Sequence, residues 1–249
     1  MPKVTLISYT GHGHPDPLYA ARLLAFTKAT RLNMDPHGFE SMMAKPASEI
    51  LSELEYMAGT IPSSWEFGDL VFLITEVSRA TAQQITRTRT ASFAMQSQRV
   101  TDMAKVNWES RFGEIESMGI NVSYDDAMKR AIENYSEFVK SGMSLEDARD
   151  LLPIGVHCNL VAKYNFRTVV ETCIARDSIR VQGPYRSVVS QMKEEVLRVW
   201  PWSETFFRPR EERALKMLQE VAEQLAEAGA VYKGPAGQIA KAIDLIKKG

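Results

Sequence analysis

Three short runs with the composition of β-strands stand far apart in the chain. They are Lys3–Tyr9 (KVTLISY), Leu70–Glu76 (LVFLITE) and Val156–Tyr164, with 60 and 79 residues between them. Most of what separates them carries helical spacing, so the chain reads as α+β and helix-rich. Leu18–Thr30 is entered through Pro17, and Ser48–Ala58 is closed by Gly59. Ser78–Thr86 is expected to deliver Arg87 and Arg89 at its end. Asp125–Lys140 sets Ala127, Ala131, Ile132, Tyr135, Phe138 and Val139 on one side. Ser144-Leu-Glu-Asp147 has capping-box spacing and opens a short helix ending at Pro153. Arg167–Arg176 and Ser187–Trp200 are helical, the latter stopped by Pro201. Beyond Arg208, two amphipathic patterns (Glu211–Ala228 and Ala236–Lys248) flank a Gly-containing break. The expected organisation is a main body over residues 1–209 and a C-terminal helical extension over 210–249.

The 249 residues include 30 Lys+Arg and 31 Asp+Glu, for a net charge of −1. That total hides an uneven distribution. Val77–Thr101 holds Arg79, Arg87, Arg89 and Arg99 with no acid, and Lys163–Arg186 holds five basic residues against two acids, so the remainder carries −8. Two basic segments in an acidic body suggest convergence on one anionic ligand; solvated helix faces are the alternative. No apolar run approaches the roughly 20 residues of a membrane span, and the N-terminus lacks a signal-peptide core. Two cysteines, Cys158 and Cys173, make no disulfide framework, and each sits in an apolar stretch that reads as core. A cytoplasmic location with no membrane partner is the expectation.

Few residues offer chemistry. The histidines (His12, His14, His37, His157) show no convincing metal-ligand spacing. There is no GxGxxG, no phosphate-loop signature, no GxSxG and no obvious carboxylate pair. The arginines remain. Gln84-Ile-Thr-Arg87-Thr-Arg89-Thr-Ala-Ser92-Phe-Ala-Met-Gln96-Ser97-Gln98-Arg99 is the densest polar constellation. Its guanidinium, hydroxyl and amide groups are donors suited to phosphate oxygens. An exposed helix end running into a polar loop is the structural alternative.

This arrangement closely resembles the signature of the flavin-dependent thymidylate synthases, Arg-His-Arg, seven residues, then Ser. Here it stands as Arg87-Thr88-Arg89, Thr90 through Gln96, and Ser97-Gln98-Arg99. Asn165-Phe-Arg167, with Arg176 nine residues further and then Gln182, resembles a second family element. Arg149-Asp-Leu-Leu-Pro153 resembles a third, and Trp65-Glu66 an element preceding the second strand. The resemblance implies a central, mostly antiparallel sheet. It also implies a homotetramer that shares each active site between subunits and converts dUMP to dTMP with FAD, NADPH and methylenetetrahydrofolate. By position, Gln84, Arg87, Met95, Ser97, Gln98, Arg99 and Arg149 would bind the nucleotide. Ser63, Arg87, Thr88, Arg89, Thr90, Asn165 and Arg167 would contact FAD. Arg176 would both bind the pyrimidine and act catalytically, stabilising negative charge at N3/O4, because C5 turns nucleophilic or C6 accepts hydride only if charge can build on the ring carbonyls. No neighbouring histidine in the motif activates Ser97 as a nucleophile, so it reads as a donor to the nucleotide.

The chain departs from the family pattern at Thr88, where the family has His, and at Ala94-Met95, where it has Asn-Glu. Val100 replaces an aromatic, and Thr60-Ile-Pro-Ser-Ser64 lacks a histidine. These changes fall on the flavin and folate side of the site and leave the nucleotide arginines in place. Two further readings stand beside dUMP methylation. One is an enzyme of the same fold that modifies C5 of another pyrimidine nucleotide, by hydroxymethylation of dUMP or dCMP for example. The other is a non-catalytic nucleotide- or nucleic-acid-binding module, although nucleic acid is not the expected partner.

Overall fold

The computed structural model describes residues 1–29, 37–110, 123–176 and 183–208, with Leu218 and Val221 further on. Its centre is a four-stranded antiparallel sheet in the order β1 (Lys3–Tyr9), β2 (Asp69–Ser78), β4 (His157–Asn165), β3 (Ala91–Met95). The three strands expected from composition are present. Alternation drives them: Val4 and Leu6 of β1, Leu70, Phe72 and Ile74 of β2, and Cys158, Leu160, Ala162 and Tyr164 of β4 point into one core. β2 bulges between Ile74 and Val77, where Glu76 takes φ 57°. The extra residue restores the inward phase, so Val77 is buried and Glu76 is not.

The helices are α1 (Tyr19–Ala29), α2 (Gly38–Ala44), α3 (Ala47–Thr60), α4 (Arg79–Ile85), α5 (Tyr124–Lys140), α6 (Leu145–Ala148), α7 (Phe166–Arg176) and α8 (Gly183–Val199). Short 3₁₀ segments occupy Pro62–Phe67, Arg149–Leu151 and Pro201–Phe207. α8 packs along the edge strand β1 and satisfies backbone groups that the sheet leaves open. Val4 N–H donates to Gln191 Oε1 at 3.1 Å and Leu6 N–H to Glu195 Oε2 at 3.1 Å. An aromatic cluster joins the start of α7 to the last 3₁₀ turn: Phe166 lies 5.6 Å from Trp200, 5.1 Å from Phe206 and 6.5 Å from Trp65, centroid to centroid. Gly68 is needed there, since a Cβ would sit 3.2 Å from the Trp200 ring and 3.3 Å from Phe166 Cβ.

Several sequence expectations shift. Gly59 lies inside α3 rather than closing it, and α8 begins four residues before Ser187. α2 and β3 carried no recognised signal. On α5 the buried residues are Met128, Ile132 and Tyr135, while Ala127 and Phe138 are exposed. The reason is local: Met128 and Ile132 meet Val156, and Tyr135 meets Met103 and Ala148, in two satellite clusters that a helix-only reading does not contain. Both cysteines are buried thiols. Gln182 and the expected C-terminal helices lie outside the described residues, apart from Leu218 and Val221, both helical.

Candidate functional site

The two basic segments lie side by side. β3, inside the first, pairs with β4 where the second begins, Ala91 opposite Tyr164 and Ser92 opposite Lys163. The polar loop considered after α4 is therefore a short strand with a donor-rich cavity at each end.

At its far end a cavity of about 500 Å³ is lined by Arg79, Met95, Gln96, Ser97, Gln98, Arg99, Arg149 and Asp150. Five of the expected nucleotide ligands (Met95, Ser97, Gln98, Arg99, Arg149) are thus brought together from two distant stretches of chain. Local capping places them. Ser144 Oγ accepts the Asp147 N–H at 3.1 Å and starts α6, whose 3₁₀ continuation carries Arg149. Ser97 Oγ accepts the Arg99 N–H at 3.1 Å and shapes the turn after β3. Arg99 is held in a two-pronged pair by Glu146, at 2.8 and 3.0 Å, and Arg149 lies 4.0 Å from Asp150. Gln98 Nε2 is buried with no hydrogen-bond partner. Arg79, which sequence reasoning counted only as charge, belongs to the same wall. It sits one residue after the Ser78 cap of α4, and that cap was the available signal for where its side chain begins.

At the near end a cavity of about 230 Å³ is lined by Thr88, Thr90, Thr168, Glu171, Thr172, Ala175, Arg176 and Tyr185. Here the expected flavin-side residues Thr88 and Thr90 meet the expected catalytic Arg176. Thr90 and Thr168 hydroxyls are 3.0 Å apart, and Thr88 hydrogen-bonds the Tyr164 hydroxyl. Burial, reinforced by Tyr185, pushes the Tyr164 phenol far above its usual range, with the Thr88 bond opposing. It stays a neutral hydroxyl at any working pH. The exposed Arg176 guanidinium lies 5.7 Å from the Tyr185 ring centroid, a cation–π contact that fixes the end of α7.

The other expected residues are not gathered into either cavity. Asn165 Oδ1 accepts the Thr168 N–H at 2.8 Å and caps α7. Arg167 bridges Glu66 and Glu171, each at 2.7 Å. Ser63 lies exposed on the 3₁₀ turn 62–67, and Arg87 and Arg89 are exposed on the connection from α4 to β3; Gln84 is on α4, half-buried. A third cavity of about 260 Å³, unanticipated, adjoins the first through Gln96 and is lined by Glu76, Asp102, Lys105, Asn107, His157 and Asn159 among others. Burial holds the His157 imidazole below its ordinary pKa, and its Nδ1 has no partner.

The family model described as "Thymidylate synthase complementing protein" matches residues 5–202. The chain belongs to this family. Relatives named flavin-dependent thymidylate synthase agree. The one from Saccharolobus solfataricus is 29% identical over 201 residues, covering 81% of this chain and 75% of that protein. The one from Geobacter sulfurreducens is 27% identical over 214 residues, covering 83% and 85%. Among solved structures, the UMP/dUMP methylase PolB from Streptomyces cacaoi bound with 5-Br dUMP superposes with a TM-score of 0.62 at 20% identity, over 83% of this chain and 94% of that one. Thymidylate synthase X from Helicobacter pylori with FAD and dUMP gives 0.61 at 16% identity, over 84% and 100%. The family read from the arginine motifs and the α+β, antiparallel fold it implied are both borne out. Among the described residues no helix is long and apolar enough to cross a membrane.

Proposed function

We propose that this member of the thymidylate synthase complementing protein family is a flavin-dependent enzyme that methylates C5 of a pyrimidine nucleoside monophosphate. It converts dUMP to dTMP, with methylenetetrahydrofolate as one-carbon donor and NADPH as reductant. The observation that carries this reading is the donor-lined cavity after β3, where guanidinium groups, a hydroxyl and two glutamines line one volume. Such a wall suits a phosphate dianion, because its donors outnumber the one carboxylate, Asp150, that lines it.

The residues at the near cavity fit one end of a flavin dinucleotide. Four threonine hydroxyls, the Tyr185 ring and Arg176 offer hydrogen bonds and a flat contact surface, though a volume of about 230 Å³ takes only part of such a molecule. Thr88 and Thr90 of this lining would hold it, and Arg87, Arg89, Asn165, Arg167 and Ser63, which lie outside the lining, would join them through the family resemblance. When bound, the flavin supplies the two-electron chemistry that the side chains lack. Arg176 holds positive charge against the pyrimidine carbonyl edge, so negative charge building at N3/O4 is stabilised. Arg99, Arg149 and Ser97 orient the nucleotide through its phosphate.

The two cavities lie at opposite ends of β3, about 14 Å apart at ~3.4 Å per residue. That favours a site completed by a second copy of the chain, as in the homotetramer that the family resemblance implies. A second reading, modification of another pyrimidine nucleotide, rests on Thr88 and Ala94-Met95 standing where the family pattern has His and Asn-Glu. One experiment separates the two. The protein is incubated with FAD, NADPH, methylenetetrahydrofolate and either dUMP or dCMP, and the product mass is read. A 14-dalton gain on dUMP, the mass of one CH₂ group, supports thymidylate synthesis; no product from any nucleotide and no flavin uptake would refute both readings.

A further inference from the structure

Arg99, Arg149 and Arg167 each face a carboxylate, whereas Arg176 faces a ring. Arg176 closes α7, and among the described residues no carboxylate lies within ion-pair distance of it. Glu171, the one carboxylate lining its cavity, is engaged by Arg167 at 2.7 Å. What Arg176 meets is Tyr185, whose ring centroid lies 5.7 Å from the guanidinium carbon, inside the roughly 6 Å reach of a cation–π contact. Tyr185 stands in the first turn of α8 and is itself fixed, 3% exposed and part of the main core with Val188, Val189 and Cys173. The choice of partner has a chemical consequence. A carboxylate occupies the N–H fork of a guanidinium and cancels its charge. An aromatic face attracts the cation as a whole, so the N–H donors and the charge stay available to an incoming carbonyl edge. A long, flexible side chain seated on a rigid ring also has less freedom to lose when it engages the substrate.

We propose that Tyr185 is the positioning residue of Arg176, holding the guanidinium by its ring face where negative charge builds on the pyrimidine. The proposal rests on the reading of Arg176 given above and adds to it a residue outside the recognised motifs. It is tested on the full-length protein with FAD, NADPH, methylenetetrahydrofolate and dUMP, reading kcat for dTMP formation. Tyr185→Leu is expected to lose about 10- to 100-fold, the cost of a small misplacement at the reacting centre, and Tyr185→Phe, which keeps a ring, to recover most of it. A trifluorinated phenylalanine at position 185 keeps the shape of Tyr185→Phe but weakens the ring face, and should lower kcat about two- to five-fold further. In an Arg176→Ala background, Tyr185→Leu should change kcat by less than about two-fold, because the partner it acts through is gone. An equal loss in both backgrounds overturns the proposal, since Tyr185 would then act on the flavin or on the fold. A trifluorinated protein as active as Tyr185→Phe also overturns it. If Tyr185→Leu fails to fold, or Arg176→Ala turns over too slowly to compare, the fluorinated series decides alone. Wild-type protein without turnover, or Arg176→Ala with full turnover, refutes the reading of Arg176 itself, whereas an impaired Arg176→Ala with a flat fluorinated series refutes only the role of Tyr185.

Discussion

Phe166→Ala tests how the aromatic cluster seats α7, the helix that ends in Arg176. Phe166 is fully buried, starts α7, and has five aromatic rings within 6.5 Å, those of Trp65, Trp200, Trp202, Phe206 and Phe207. Its N–H donates to Gly68 O at 2.6 Å, which ties the start of α7 to the entry into β2. Truncating a buried phenylalanine costs about 3–5 kcal/mol through lost transfer energy and the cavity left behind. Close packing at Gly68 leaves little room for the backbone to collapse into the void, so the upper part of that range applies. For a chain of this size 1 kcal/mol moves Tm by roughly 2–4 °C, so a cost of about 4–5 kcal/mol lowers it by about 8–20 °C. The assay is thermal unfolding followed by circular dichroism, with urea titration for the free energy. Because α7 ends in Arg176, turnover measured well below the lowered Tm should also fall, while Phe166→Leu should retain most of both. A Tm loss under about 3 °C in Phe166→Ala would refute the reasoning, since the cluster would then contribute little to seating α7.

Three other outcomes follow from the structure. Glu146→Gln releases Arg99 from an exposed pair worth about 0.2–1 kcal/mol, so dUMP affinity should rise up to about five-fold in titration; a fall would mean that Glu146 positions Arg99 rather than competing for it. Arg176→Ala should lower kcat by about 100-fold or more while dUMP still binds measurably, and an active variant would remove Arg176 from the chemistry. Glu195 is held below the usual carboxylate range by its hydrogen bond to Arg198, with burial opposing and the Leu6 N–H assisting. That stabilisation is present above the unfolded value of about 4.3 and is lost as pH falls through the depressed folded value, so Glu195→Gln should cost about 1 kcal/mol at pH 7. The gap to wild type should close in urea melts near pH 3, and a gap independent of pH would contradict the assignment.

Elements whose signal is intrinsic were legible in the chain. β2 and β4 alternate buried and less buried residues over seven or more positions, β1 does so up to its irregularity at Ser8, and α6 announces itself through Ser144, which caps it with its side chain. β3 was not legible, because five residues with only half-buried Ala91, Phe93 and Met95 carry no alternation strong enough to distinguish a strand from a polar loop. Its existence depends on β4, which pairs with it from about 70 residues away. The motif arginines could be found by spacing, but their partners could not. Glu146 and Glu66 reach Arg99 and Arg167 across 47 and 101 residues. Gln98 and Arg79 sit where they do only because the β3 turn and the α4 cap bring one wall together.

Those partners change the meaning of the neutral total. The acidic body does more than dilute seven surplus positive charges. It supplies carboxylates to Arg99, Arg149 and Arg167 from outside or beside the basic segments. All of these pairs are partly exposed, so each contributes little to stability and an incoming phosphate can displace its carboxylate at small cost. A guanidinium kept solvated and loosely paired avoids the penalty of a naked buried charge and remains exchangeable. Among the described residues Arg79 is set against sulfur instead, its Nη1 donating to Met95 Sδ at 3.4 Å, and the difference between it and Arg99 predicts opposite signs. Removing the partner of Arg99 should tighten nucleotide binding, whereas giving Arg79 a carboxylate partner should weaken it. The two substitutions, Glu146→Gln and Met95→Glu, change carboxylate charge on one cavity in opposite directions. If both moved affinity the same way, charge exchange with the ligand would not be what this wall is built for.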